Sequence, residues 1–190
     1  PRRGDLFAVY ASADNPQVVR IPARIFDYEF ELIRVSPKVL RGIAAVPLDA
    51  PAGNYDLTLY FPTRDVHRQL EVLHRDWPVS VLNVSSRFTQ EPDAKTKKTL
   101  RLDDKAWSSM FRPLASVPKY NGAFVRPVTG RKTAVFGTKR TFNDKLQTRH
   151  EGLDLEGRTG TPIVAMAAGR VVMSSMRYVF GGTTTIDHGN

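Results

Sequence analysis

The sequence predicts a mainly β protein made of two strand-rich units joined by a short helix. Three observations carry this. Apolar residues recur every second position through the first half of the chain, as half-buried strands require. Proline and glycine punctuate these runs at short intervals. Between about Glu91 and Phe111 the period changes to a helical one.

In the first unit, Phe26, Tyr28, Phe30 and Leu32 alternate with Asp27, Glu29 and Glu31. Tyr55, Leu57, Leu59 and Phe61 repeat the pattern after the turn signal Pro51-Ala-Gly-Asn54. Short strands separated in this way argue for a small β-sandwich over residues 1–90. Its aromatic residues read as core.

The segment 91–119 is the expected linker. Leu100, Trp107, Met110 and Phe111 fall roughly on one helical face, with Asp103, Asp104 and Lys105 on the others. A short helix packed between the two units follows from that spacing, and Pro113 and Pro118 then mark an extended connector. The run Lys95-Thr-Lys-Lys98, with Arg101, reads as the solvated face of this helix.

From residue 120 to 190 the sequence is strand-rich again. In Gly160-Thr-Pro-Ile-Val-Ala-Met-Ala-Ala-Gly-Arg-Val-Val-Met173, two β-branched runs flank a glycine and predict a hairpin edge. The end of the chain, Gly189-Asn190, carries residues that favour tight turns.

Composition bounds the chemistry. The chain has 190 residues, 41% of them apolar, enough for one large domain or two small ones. It has no cysteine, which excludes disulfides and thiolate metal sites. No apolar run approaches the roughly 20 residues of a membrane helix. A balance of 28 Lys+Arg against 19 Asp+Glu gives a net charge of +9, suited to polyanions such as nucleic acid, anionic polymers or lipid surfaces. The basic residues are scattered and form no recognised nucleic-acid motif.

The motif with chemical content is His150-Glu-Gly-Leu-Asp154. Catalytic zinc takes three protein ligands and keeps a fourth position for water. In a straight strand, residues four apart are about 13 Å from each other, too far to share one ion. The backbone must bend between them, and Gly152 is the residue suited to the bend. Taken bare, H-x-G-x-D reads as a surface histidine and a loop aspartate with no metal.

The surrounding sequence changes that reading. Val135-Phe-Gly-Thr-Lys-Arg-Thr-Phe-Asn143, His150–Leu155, Gly160–Ala165, Ala168–Val172 and Ile186-Asp-His-Gly-Asn190 together resemble the lysostaphin-type (LytM-like) zinc metallopeptidases of bacterial peptidoglycan. The resemblance covers about Phe124 to Asn190 and is closest to envelope forms with an immunoglobulin-like β-domain in front. It implies that 120–190 is the first part of a LytM-like antiparallel β-sheet peptidase domain. It also implies Zn2+ as cofactor, His150 and Asp154 as its ligands, and Arg140 and Asn143 as candidate substrate contacts.

The family's third ligand and catalytic histidines lie in H-x-H and Y-x-H segments that do not occur here, so the resemblance assigns no catalytic residue to this chain. His188 matches a position that is not a ligand, and His67 and His74 lie far upstream. A longer parent continuing through those segments is the expectation, with its leader removed and an exported, periplasmic or envelope location. Asp144 and Arg149 depart from the family pattern beside the motif. The partner implied is peptidoglycan, and the reaction is cleavage of its peptide stems or cross-links by zinc-bound hydroxide. The alternative is a catalytically inert LytM-like module that binds cell wall or activates another hydrolase.

Overall fold

The computed structural model describes residues 1–85, 91–110, 117–120, 122–143 and 146–189. Phe111, Pro113, Asp144 and Asn190, singled out above, lie outside them. The chain forms two compact units, Pro1–Asp76 and Trp77–Asn190.

The first unit contains β1 (Leu6–Ser12), β2 (Arg20–Ile25), β3 (Tyr28–Ser36), β4 (Val39–Ala45), β5 (Gly53–Tyr60) and β6 (Asp65–Val72). Alternation is strict where the sequence alternates. Ile21, Ala23 and Ile25 of β2 are buried between exposed neighbours, as are Leu40 and Ala44 of β4 between half-buried ones. All six strands pair antiparallel in one sheet of order β1-β4-β3-β2-β5-β6. An immunoglobulin-like sandwich would divide its strands between two sheets. Here a single sheet curls on itself, so that Val9, Ile21, Leu32, Leu40 and Leu57, from five different strands, share one core.

The alternation in the sequence places Phe26 in the same strand as Tyr28, Phe30 and Leu32. Phe26 occupies a two-residue turn between Ile25 and Tyr28 instead, with φ +53°. A phenylalanine in this left-handed region is strained. Packing of its ring against Tyr55, 4.7 Å between centroids, and against the core holds it there.

The second unit contains β7 (Val79–Leu82), α1 (Ala94–Met110), β8 (Lys132–Ala134), β9 (Lys139–Phe142), β10 (Leu146–Arg149), β11 (Asp154–Leu155), β12 (Arg170–Arg177) and β13 (Gly181–Asp187). They form three small sheets, β10-β9-β7, β11-β8 and β12-β13. Among the described residues, the fully buried apolar side chains all belong to the first unit.

Helix α1 starts where Asp93 caps it, accepting the Thr96 N–H at 2.7 Å. None of its residues is fully buried. Trp107 stacks on Phe180 at 5.3 Å, in keeping with the apolar face read from the sequence. Asp103, expected on the solvent side, accepts from the Tyr178 N–H at 2.7 Å and from Arg177 at 3.4 Å. The helix is thus tied to the β12–β13 hairpin by a carboxylate as well as a ring.

The hairpin expected across residues 160–173 does not form. Val164 N–H donates to Pro127 and Val125 N–H to Met166, so this run lies against 125–127. The β12 strand begins only at Arg170 and pairs with β13. Alternation in the sequence reports a strand's faces, not its partner.

Candidate functional site

The β9–β10 hairpin delivers His150. Its last register pair is Lys139 with Arg149, and two backbone bonds carry the pairing one residue further. His150 N–H donates to Thr138 O at 2.9 Å, and Gly137 N–H donates to His150 O at 2.7 Å. Thr138 is buried, and its hydroxyl donates to Val135 O at 2.8 Å. The chain then turns through Glu151–Leu153 and returns as β11, where Asp154 pairs with Ala134 of β8.

This return brings the two side chains of the motif together. His150 Nε2 lies 3.2 Å from Asp154 Oδ1. The nitrogen is fully buried, and its approach to the carboxylate is not aligned as a hydrogen bond. Two ligands on a tetrahedral zinc, with bonds of about 2.0–2.1 Å, stand roughly 3.3 Å apart. The pair therefore has the separation of two corners of such a site, and an imidazole nitrogen and a carboxylate oxygen are both suitable donors.

The bend occurs at Gly152, as expected, but without positive φ. A Cβ there would meet only His150 Cε1 at 3.8 Å. The glycine whose special backbone matters is Gly137. Its φ is +83°, and a Cβ on it would fall 2.0 Å from the Trp77 ring.

Arg140 and Asn143 have defined roles in the structure. Arg140 Nη2 contacts Asp154 Oδ2 at 3.1 Å, so it holds the oxygen that does not face His150. Asn143, at φ +48°, clamps the backbone of Val84. Its Oδ1 accepts from Val84 N–H and its Nδ2 donates to Val84 O, each at 2.9 Å. Both polar atoms of the Asn143 amide are thereby engaged with the chain itself. Arg149 donates to Gly137 O at 3.3 Å and lies over Trp77.

The remaining histidines are elsewhere. His67 contacts Thr58 and His74 contacts Asp76, both in the first unit. His188 Nδ1 is 2.9 Å from Ala168 O. A carbonyl only accepts, so Nδ1 carries the proton there. Among the described residues, no group of three or more His, Cys, Asp or Glu could hold a metal ion. The residues present fit two positions of a zinc site.

Sequence reasoning missed Gly137, Thr138 and Trp77. The first two stand in the Val135–Asn143 run, whose order pointed to the region but not to their roles. Trp77 gave no signal, because its partner is far along the chain.

Residues 148–190 match the model of peptidase family M23. No curated protein matches the sequence. The whole chain superposes on a crystal structure described as a candidate M23 peptidase from Pseudomonas aeruginosa, with a TM-score of 0.72 and 20% identity, covering 69% of that chain. At this identity the likeness establishes the fold, a mainly β one with a curled antiparallel sheet.

Proposed function

We propose, from the match of residues 148–190 to the model of peptidase family M23, that this chain carries two ligands of a zinc endopeptidase site that cleaves the peptide stems or cross-links of bacterial peptidoglycan. The observation that supports this reading best is the 3.2 Å approach of His150 Nε2 to Asp154 Oδ1. The nitrogen is buried and has no hydrogen-bond partner, as a site for a cation leaves it.

When bound, the ion supplies a water of lowered pKa and polarises the scissile carbonyl. The chain's own residues do the rest of what can be assigned. His150 and Asp154 would hold the ion. Arg140 fixes the Asp154 carboxylate through Oδ2, leaving Oδ1 directed at His150. Gly137 and Thr138 set the height of His150 through its backbone.

Charge supports an anionic surface as the working environment. Residues 1–76 hold 10 basic and 10 acidic residues of the totals 28 and 19, leaving 18 and 9 for residues 77–190. The net charge of +9 therefore sits on the unit with the site. Exported envelope polymers are the proposed partners, and the proposed location is the periplasm or cell envelope. Among the described residues, no helix is long and apolar enough to cross a membrane.

The test is incubation of the zinc-loaded protein with purified peptidoglycan, with released fragments and new amine ends read by mass spectrometry. Release that stops on His150→Ala supports the peptidase. A second reading, an inert module that binds the wall or activates another hydrolase, is favoured by the presence of only two donors among the described residues. Sedimentation of the protein with peptidoglycan without fragment release, unchanged in His150→Ala, would establish it.

A further inference from the structure

We infer that the strap Trp77–Val84 is a positioning element for His150, although it precedes the segment matched by the family model by more than sixty residues. This rests on the reading of His150 as a metal ligand.

The strap is bonded to the site's hairpin along its length. Strand β7 pairs in parallel with β9, from Val79 opposite Lys139 to Leu82 opposite Phe142. Lys139 N–H donates to Pro78 O at 2.8 Å and Asn143 N–H to Leu82 O at 3.0 Å. At the far end, the Asn143 amide makes its two bonds to Val84. A parallel edge strand of four residues, with Val79 and Val81 exposed, has little burial to hold it and depends on such anchors.

At the near end the anchor is Trp77. Its ring fills the hollow that Gly137 leaves by lacking a side chain, where a Cβ would sit 2.0 Å away. Phe136 meets it edge-on at 6.1 Å between centroids, and the Arg149 guanidinium lies 5.8 Å over it. These three contacts surround the backbone that holds His150. Gly137 N–H bonds His150 O, and Arg149 is the residue before His150. Moving the ring must move the 136–138 turn, and with it the backbone bonds that place the imidazole beside Asp154. Asn143, which resembled a substrate contact in the sequence, acts on the same strap from its other end.

The experiment uses the full chain and two readouts: binding of Co2+ by visible absorption, and amide hydrogen exchange at Gly137 and His150. Trp77→Ala is expected to weaken Co2+ binding by about 10–100-fold, the range for residues that orient a metal ligand. It should also speed exchange at both amides, while the Leu32 amide in the first unit stays protected. Trp77→Phe restores most of both. Asn143→Gly keeps the positive φ but removes the clamp, and shifts both readouts in the same direction without touching the ring. Trp77→Ala that binds Co2+ like the wild type, with both amides protected, overturns the inference. A wild type that binds no Co2+ defeats the metal reading alone, and exchange then decides the strap: faster at His150 in Trp77→Ala sustains it, unchanged overturns it.

Discussion

His150 Nε2 and Asp154 Oδ1 stand 3.2 Å apart, although the residues are four apart in sequence, His150 just past the end of β10 and Asp154 opening β11. The turn through Gly152 brings them together, and Arg140 holds the second carboxylate oxygen at 3.1 Å. A carboxylate shared between a fixed cation and an imidazole is already oriented, so binding a metal costs little reorganisation.

That orientation predicts the effect of removing either donor. His150→Ala or Asp154→Ala should lower Zn2+ affinity beyond the roughly 10–100-fold expected for a residue that only orients a ligand. Competition with a chromophoric chelator measures it. Affinity unchanged in both variants would exclude this pair as the metal site.

Gly137→Ala combines two penalties, a left-handed φ of +83° and a Cβ placed 2.0 Å from Trp77. Gly160→Ala carries only the first, at φ +88° in open space. The expected costs are about 1–2 kcal/mol for Gly160→Ala and roughly 1–3 kcal/mol more for Gly137→Ala, from overpacking. Denaturant midpoints of the two variants compare them directly. Equal midpoints would mean that the ring moves aside freely.

The curled sheet of the first unit should fail from its centre. Leu32 is 0% exposed within the core that β1 to β5 share, and Leu32→Ala is expected to cost about 2–5 kcal/mol. Leu6, on β1 and 75% exposed, should change stability by less than about 0.5 kcal/mol when cut to alanine. Thermal unfolding of both variants checks the contrast.

Asp5 and Tyr28 give the first unit pH-dependent contributions to stability. The Arg2 N–H and the Arg75 guanidinium hold the Asp5 carboxyl below its ordinary value of 3.8. A carboxylate favoured in the fold contributes stability above that value and loses it as pH falls through the lowered one. Burial raises the Tyr28 hydroxyl above its ordinary 10.0. Its contribution is complete below 10.0 and is lost as pH rises through the raised value. Asp5→Asn should therefore flatten the acid side of the stability profile. Tyr28→Phe should flatten the alkaline side and cost about 1–3 kcal/mol at neutral pH, because Ala45 N–H and C=O both bond the hydroxyl. Unfolding followed from pH 2 to 11 tests both, and identical profiles for variant and wild type would refute the assignment.

By itself the sequence determined which residues face inward and which segment resembles a peptidase family. Tyr28, Phe30 and Leu32 alternate in the chain and share one face of β3, since a strand's side chains repeat every two residues whatever it pairs with. The sequence around H-x-G-x-D, by its resemblance to a peptidase family rather than by its spacing, likewise pointed to His150 and Asp154. Only the tertiary structure decided partners: that β2 passes its ladder to β5 within a single sheet, that residues 163–166 lie against 125–127, and that Trp77 fills the hollow at Gly137. Alternation is local, and pairing is set by contacts between residues distant in the chain. A glycine's missing side chain acquires meaning only when the ring that takes its place arrives.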